Sequence, residues 1–348
     1  YIQESELINS SFDCFCINLA TAGSLSDIGH ISLKKLLKYF FLLKHISNVV
    51  REIRPELVYI TPNAGRKAFF KDFIVVQMLK SMGCKVIAHY HNKGVSVYQS
   101  KWVYNFFYKR FFSNLKVILL AENLYKDMAK YVKREDVYIC PNGIPSSCKE
   151  EMEARRNNVI PHLLFLSNLL INKGVFVLLD ALRILKEKGY LFNCLYVGGE
   201  TAEINAMQFV VEVERRKLND RVAYAGRKVG EEKNTFFQQA DIFILPTMNE
   251  CFPLVILEAM EYKLPVISTN EGGIPDIVKD GENGLICEKQ NPYSLADCIA
   301  KLLDDEELRV KMGNAGYEKF CREFTLQRFE NRMLGILSQN LPQKEKEN

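Results

Sequence analysis

The chain has 348 residues, 48% of them hydrophobic and 25% charged, with a formal net charge of +4. That length exceeds one ordinary core and suits two domains, and the composition is that of a soluble globular protein rather than a fibrous or disordered one. No run approaches the ~20 apolar residues of a membrane-spanning helix, and no secretory pattern opens the chain, so a cytoplasmic setting is expected.

In chain order, the opening YIQESELINSSFD reads as a helix and the first glycine is Gly23. A doubly wound domain normally starts on a strand, so the first domain is expected to lack its first strand. SLKKLLKYFFLLKHI (32–46) is a basic amphipathic helix. LVYITP (57–62), KVIAHYH (85–91), KVILLA (116–121) and VYIC (137–140) are apolar strands. Helices are predicted between them over 71–83, 98–114 and 125–132. EEMEARRNN (150–158) is charged, lacks an apolar period and marks a seam.

Beyond the seam, HLLFLS (162–167), FNCLYVGG (192–199), RVAYAG (221–226), DIFILP (241–246), PVIST (265–269) and GLIC (284–287) are strands. Helices are expected over 174–189, 203–218, 231–240 and 253–263, then a helical turn at 274–278 and two closing helices over 294–305 and 305–323. Strands that are apolar throughout and alternate with helices imply parallel sheets covered on both faces. The expected architecture is α/β: two doubly wound Rossmann-like domains facing across a cleft. The first covers 1–155 and the second 156–322. A C-terminal helix over 323–340 packs back on the first, and 341–348 is a disordered tail. In such sheets ligands gather at the carboxyl ends of the strands.

The ten cysteines are scattered without a CxxC pair, which fits small buried thiols in a reducing compartment. The charge is uneven: residues 1–150 carry +9 and the remainder −5, with sixteen Lys/Arg against three Asp/Glu in residues 31–120. An anionic partner for the first domain follows. The segments 32–46 and 98–116 mix Lys and Arg with aromatic residues. They read either as core helices with solvated charges or as a surface for anionic lipid headgroups. No nucleic-acid motif accompanies the charge.

The tract NECFPLVILEAM (249–260) sets two carboxylates, Glu250 and Glu258, around an apolar run. Pro253 suits the first turn of a helix, so backbone N–H groups near Cys251 to Leu254 would face the cleft as a phosphate site. Eight residues at 1.5 Å each put the acids at most ~12 Å apart. That span suits a nucleotide sugar, with a carboxylate accepting two hydrogen bonds from a vicinal diol. A first-turn acid and a solvated acid are the plainer alternative. Gly198 and Gly199, like Arg227 and Lys228, follow strands and would border the nucleotide, although turn chemistry explains the glycines equally well. His89 and His91 alternate onto one face of a strand end. Two histidines without a third ligand, and no Asp-x-Asp, argue for a metal-independent enzyme. No G-x-G-x-x-G opens a strand–helix turn, against a dehydrogenase.

The stretch ADIFILPTMNECFPLVILEAMEYKLPVISTNEGGIPDIVKDGENGLI resembles the signature of the retaining GT-B glycosyltransferases of family four, the glycosyl transferases group 1. HYHNKGV and YICPNGIP are similar to the bacterial branch that builds capsule, lipopolysaccharide and other surface polysaccharide. The resemblance implies that Glu258 holds the donor ribose and Glu250 lies against the donor sugar. Backbone N–H groups of Phe252, Pro253's neighbour Leu254 and Val255 would contact sugar and phosphate. Lys173 in SNLLINKG falls where the family binds the diphosphate. Asn168 stands where an arginine is usual. His91, with Asn92 and Lys93 beside it, falls near the transferred sugar on the acceptor side. The implied activity is transfer of a sugar from a nucleotide-diphosphate donor, by family frequency a UDP-sugar with a GDP-sugar as the alternative, to a lipid-linked glycan precursor with retention. No cofactor is implied. Peripheral contact with the inner face of the plasma membrane fits. A homologue that binds nucleotide sugar or a partner without turnover is the competing reading, as is, more remotely, a sugar-nucleotide epimerase.

Overall fold

The computed structural model describes residues 2–19, 33–146 and 159–342. The chain divides into two compact units, Tyr1–Cys140 with Glu330–Asn348, and Pro141–Phe329. The expected seam at 150–158 and most of the expected tail lie outside the described residues, as do Gly23 and Cys148.

The first unit opens with a 3-10 turn at Ile2–Glu4 and helix α1 (Glu6–Ser11), capped by the Ser5 side chain, which accepts from the Ile8 N–H. Helix α2 (Leu33–Ile53) follows. Four parallel strands, β1 (Val58–Ile60), β2 (Val86–Tyr90), β3 (Lys116–Leu119) and β4 (Val137–Ile139), lie in sequential order β1-β2-β3-β4. Helix α3 (Arg66–Ser81) crosses from β1 to β2. Between β2 and β3 the expected helix is two, α4 (Val95–Tyr98) and α5 (Trp102–Phe112), because the chain turns through extended backbone at Lys101.

The helix expected over 125–132 is absent. Leu124, Met128 and Val132 are buried at helical spacing, yet the backbone forms a 3-10 helix at Glu122–Asp127 and then turns. Asp127 is committed elsewhere: its carboxylate accepts from the N–H groups of Gly94, Val95 and Ser96 at the start of α4. The Tyr125 hydroxyl donates to the Val132 carbonyl and closes the turn.

The second unit holds six parallel strands: β5 (His162–Leu166), β6 (Asn193–Val197), β7 (Val222–Tyr224), β8 (Ile242–Leu245), β9 (Val266–Thr269) and β10 (Gly284–Cys287). Their order is β10-β9-β8-β5-β6-β7. The chain runs outward from β5 to β7, returns to the other side of β5 at β8, and runs outward again. That reversal makes the carboxyl ends of β5 and β8 the switch point, where doubly wound sheets open a crevice. β8 and β9 are buried along their whole length, as a sheet covered on both faces requires. The covering helices are α6 (Val175–Glu187), α7 (Ala206–Arg215), α8 (Gly230–Gln239), α9 (Leu254–Glu261), α10 (Ile274–Ile277), α11 (Pro292–Asp304) and α12 (Glu306–Glu323). α7 starts at Ala206 rather than 203, because Asn205 and Gln208 form a reciprocal cap that fixes the start. Helix α13 (Leu326–Asn340) begins in this unit, and its residues from Glu330 group with the first.

The PNGIP turn is stitched inside the second unit. The Ile144 N–H donates to the Phe324 carbonyl at 3.0 Å, and the Leu326 N–H to the Ile144 carbonyl at 2.8 Å. A Cβ on Gly143 would stand 2.3 Å from the Thr325 oxygen, so this close approach demands glycine. No disulfide joins the described cysteines. Cys140, Cys194 and Cys287 are buried, and burial pushes the thiols of Cys140 and Cys287 up to about 12. Cys14 and Cys16 are exposed, in contrast to the expected buried thiols, because the segment after α1 carries no packed face.

Candidate active site

The loops at the carboxyl ends of β5 and β8 are tied together by backbone contacts. Gly174, in the left-handed region at φ 81°, lets the β5–α6 loop approach so closely that a Cβ would meet the Pro246 oxygen at 2.2 Å. The Met248 N–H and the Thr247 hydroxyl both donate to the Asn172 carbonyl, at 2.8 and 3.2 Å. These contacts carry Lys173, at the end of a 3-10 turn (Ile171–Lys173), to the acid on the facing loop. Lys173 Nζ donates to both carboxylate oxygens of Glu250, at 2.7 and 2.8 Å.

The loop after β9 supports the same acid from behind. Gly272 adopts φ 55°, and a Cβ there would stand 2.2 Å from the Glu250 carbonyl oxygen. The Gly273 N–H donates to the Cys251 carbonyl at 2.7 Å. The Gly-Gly-Ile-Pro tract therefore has a physical purpose: it is the shelf on which the Glu250 loop rests.

Pro253 is not in the first turn of α9 but is its N-cap, with extended backbone at φ −76° and ψ 109°. Glu258 accordingly sits about one turn into the helix. No side chain caps α9. Its first N–H groups, on Leu254 and Val255, carry the positive end of the helix dipole and suit an anion. Phe252 is buried with its ring against Phe324, and Pro253 is buried as well. Both anchor the tip rather than offer side chains. Cys251 is half-buried.

Glu258 has a partner that sequence reasoning missed. Lys233 of α8 donates to its Oε1 at 2.7 Å, and the two side chains are 23% and 24% exposed. The signal was present: Phe237, the buried residue of α8, lies four residues after Lys233, so the lysine shares the inward stripe.

Asn168 is exposed, and its Oδ1 accepts from the Gly199 N–H at 3.1 Å, which leaves its Nδ2 to donate outward. Gly198 is needed where it stands, since a Cβ would fall 1.8 Å from the Ser167 oxygen. The Gly198 N–H donates to the Gly226 carbonyl, and the Tyr224 hydroxyl to the Gly198 carbonyl. Arg227 Cδ consequently lies 3.8 Å from where a Gly199 Cβ would be. Lys228 is paired with Glu232 at 2.9 Å. The structure thus gathers Asn168, Gly199 and Arg227 along the loops after β5, β6 and β7. Lys173, Glu250 and α9 stand along the loops after β5 and β8.

In the first unit, β2 ends in the two histidines. His89 is fully buried, with Nδ1 2.8 Å from the Tyr59 hydroxyl and its ring 4.1 Å from that of His91. Burial, helped by His91, pulls His89 well below its ordinary pKa. His91 is exposed, yet packing of neighbouring atoms around its ring still lowers its pKa by desolvation. Asn92 spends its side chain on structure: Oδ1 accepts from the Ala64 N–H at 2.7 Å and Nδ2 donates to the Pro62 carbonyl at 3.2 Å. Lys93 is half-buried beside it. Among the described residues no group of three His, Cys, Asp or Glu could hold a metal ion.

Residues 149–319 match the family model described as glycosyl transferases group 1. An uncharacterized glycosyltransferase of Methanocaldococcus jannaschii is 34% identical over 173 residues, covering 50% of this chain and 46% of that protein. The capsular polysaccharide biosynthesis glycosyltransferase CapM of Staphylococcus aureus is 29% identical over 163 residues, covering 47% and 42%. The aligned stretch spans less than half the length of either relative. Among solved structures, Anabaena HepE in complex with UDP superimposes with a TM-score of 0.70 at 18% identity, covering 86% of this chain and 82% of that one. That likeness shows the fold, which is GT-B.

Proposed function

We propose a function from one premise: residues 149–319 are a glycosyl transferases group 1 domain. The chain transfers a sugar from a nucleotide-diphosphate donor, a UDP-sugar, to a lipid-linked glycan precursor of a surface polysaccharide. The observation that carries this reading is the pairing of Glu250 with Lys173 and of Glu258 with Lys233 around the uncapped tip of α9, at the switch point of the six-stranded sheet. The UDP of the Anabaena relative and the capsular role of the Staphylococcus relative support the donor and acceptor classes.

In this reading the diphosphate takes the N–H groups at the tip of α9 together with Lys173, and Glu258 accepts from the ribose diol. Glu250 receives a sugar hydroxyl. Asn168 Nδ2 and Arg227 border the diphosphate and nucleoside. The bond between the anomeric carbon and the β-phosphate oxygen breaks while the acceptor oxygen bonds from the same face, and the acceptor proton passes to the departing phosphate. Stabilising that departing charge is the main catalytic contribution, and it asks for no metal. His91 and Lys93 are assigned to acceptor recognition, and Asn92 shapes the loop that carries them. The setting is cytoplasmic, at the inner face of the plasma membrane. Among the described residues no helix is long and apolar enough to cross a membrane. Exposed Trp102 and Phe106 on the basic helix α5 suit peripheral contact with anionic lipid.

A radiolabelled UDP-sugar panel with membrane-extracted acceptor tests the function. Labelled lipid-linked product is the expected result. Tight nucleotide binding with neither transfer nor donor hydrolysis would leave a non-catalytic homologue, the outcome to which the uncharged Asn168 points.

A further inference from the structure

Two acids flank the tip of α9, and the partner of the second comes from far away in sequence. Lys233 Nζ meets Glu258 Oε1 at 2.7 Å although 25 residues separate the pair. Lys228, five residues earlier in the sequence, is paired instead with Glu232 at 2.9 Å. Among the described residues nothing bonds Glu258 Oε2.

A carboxylate that is three-quarters buried can still sample rotamers that point away from a ligand. A cation fixed on one oxygen suppresses them: it holds the plane of the carboxylate so that the other oxygen has one direction to offer. Lys233 can do this because α8 is anchored by buried Phe237 one turn later and α9 by buried Ile256 and Leu257.

We propose that Lys233 is a positioning residue for donor recognition: it holds the Glu258 carboxylate oriented so that Oε2 reads the ribose diol. The proposal rests on the ribose role given to Glu258 above, and it adds that discrimination between ribose and deoxyribose is set from α8. A purely structural tie between α8 and α9 would contribute to stability and leave that discrimination alone.

The test is calorimetric binding of UDP and GDP and of their 2′-deoxy counterparts to the native chain, Lys233→Gln and Lys233→Arg, each checked for its unfolding temperature. The native chain should prefer the ribonucleotide by about tenfold, the worth of a hydrogen bond to a charged group. Lys233→Gln should lose most of that preference by weakening the ribonucleotide alone, and Lys233→Arg should restore it. Native discrimination that survives in Lys233→Gln would overturn the role of Lys233 and leave the donor reading standing. A native chain that binds neither nucleotide, or that ignores the 2′-hydroxyl, would overturn the ribose role of Glu258 and with it the role of Lys233.

Discussion

Lys173 holds both carboxylate oxygens of Glu250, at 2.7 and 2.8 Å, with the two side chains 18% and 19% exposed. The two charges therefore neutralise each other at the point where the diphosphate is proposed to sit. On the proposed function, a bound nucleotide draws Lys173 away from Glu250, and the released acid receives the sugar.

That exchange separates the two residues experimentally. Glu250→Gln removes the competing charge, so nucleotide-diphosphate affinity should hold or rise about threefold while sugar transfer collapses. Lys173→Ala removes the cation from the leaving group and should lower kcat by about 10²-fold or more. Binding by calorimetry and transfer with labelled donor check both. A Lys173→Ala enzyme of native turnover would remove the lysine from the leaving-group role.

The glycine shelf gives a stability prediction. Gly272→Ala places a Cβ at positive φ and 2.2 Å from the Glu250 carbonyl, so the β9–α10 loop must shift. The expected cost is about 2–3 kcal/mol in urea unfolding, together with weakened nucleotide binding, since the loop under Glu250 moves. Gly189→Ala is the control. It is also at positive φ, but a Cβ there meets nothing within 4 Å. It should cost about 1 kcal/mol and leave binding unchanged.

The strands of the second unit were legible because a sheet buried on both faces writes itself as short continuous apolar runs. β8 and β9 are the plainest cases. The helix expected over 125–132 misled for a physical reason: burial of Leu124, Met128 and Val132 at spacing four is compatible with a wound turn as well as with an α-helix. The Asp127 carboxylate, spent on α4, decided between them. Glu250 and Glu258 stood out in the sequence by type and spacing and Lys173 by the family resemblance, but their pairing did not. Lys173 lies 77 residues from Glu250, and only the strand order β8-β5 brings their loops together. Lys233 was hidden further, because a lysine in EEKNTFFQQA looks like one more solvated charge until its register with Phe237 is counted.

Acid should destabilise the first unit through its buried histidine. Folded His89 is held well below its ordinary value of 6.5 by burial and by the neighbouring His91, while the unfolded chain titrates near 6.5. Below that pH the unfolded state therefore binds a proton that the folded state refuses, and stability falls as pH falls. Above it both states are neutral and the contribution is fully present. The slope from one such group is at most about 1.4 kcal/mol per pH unit. Unfolding midpoints between pH 7.5 and 5 should show it, and His89→Gln, which keeps a partner for the Tyr59 hydroxyl, should flatten it. An unchanged slope in that variant would place the acid sensitivity elsewhere.

The exposed face of α5 sets the last expectation. Tyr108, Phe111 and Phe112 fill the core side of this helix, while Trp102 is 80% and Phe106 52% exposed. Lys101 stands at its N-cap position without a capping hydrogen bond from its side chain, and Lys109 and Arg110 lie in its last turn. α2 repeats the arrangement with exposed Leu36, Leu37, Phe40 and Phe41. Apolar tips set among cations lower their free energy by entering the headgroup region of an anionic bilayer, where each basic residue contributes about 1 kcal/mol. Sedimentation with phosphatidylglycerol vesicles should recover the protein, and phosphatidylcholine vesicles should not. Neutralising Lys109 and Arg110 to glutamine should reduce partition by about fivefold for each charge, and 0.5 M salt should do the same to the native chain. Trp102→Ala should weaken binding even at low salt, since it removes the apolar contribution and leaves the charge. Vesicle binding that follows salt but ignores Trp102 would mean that the surface attracts anions without inserting into lipid.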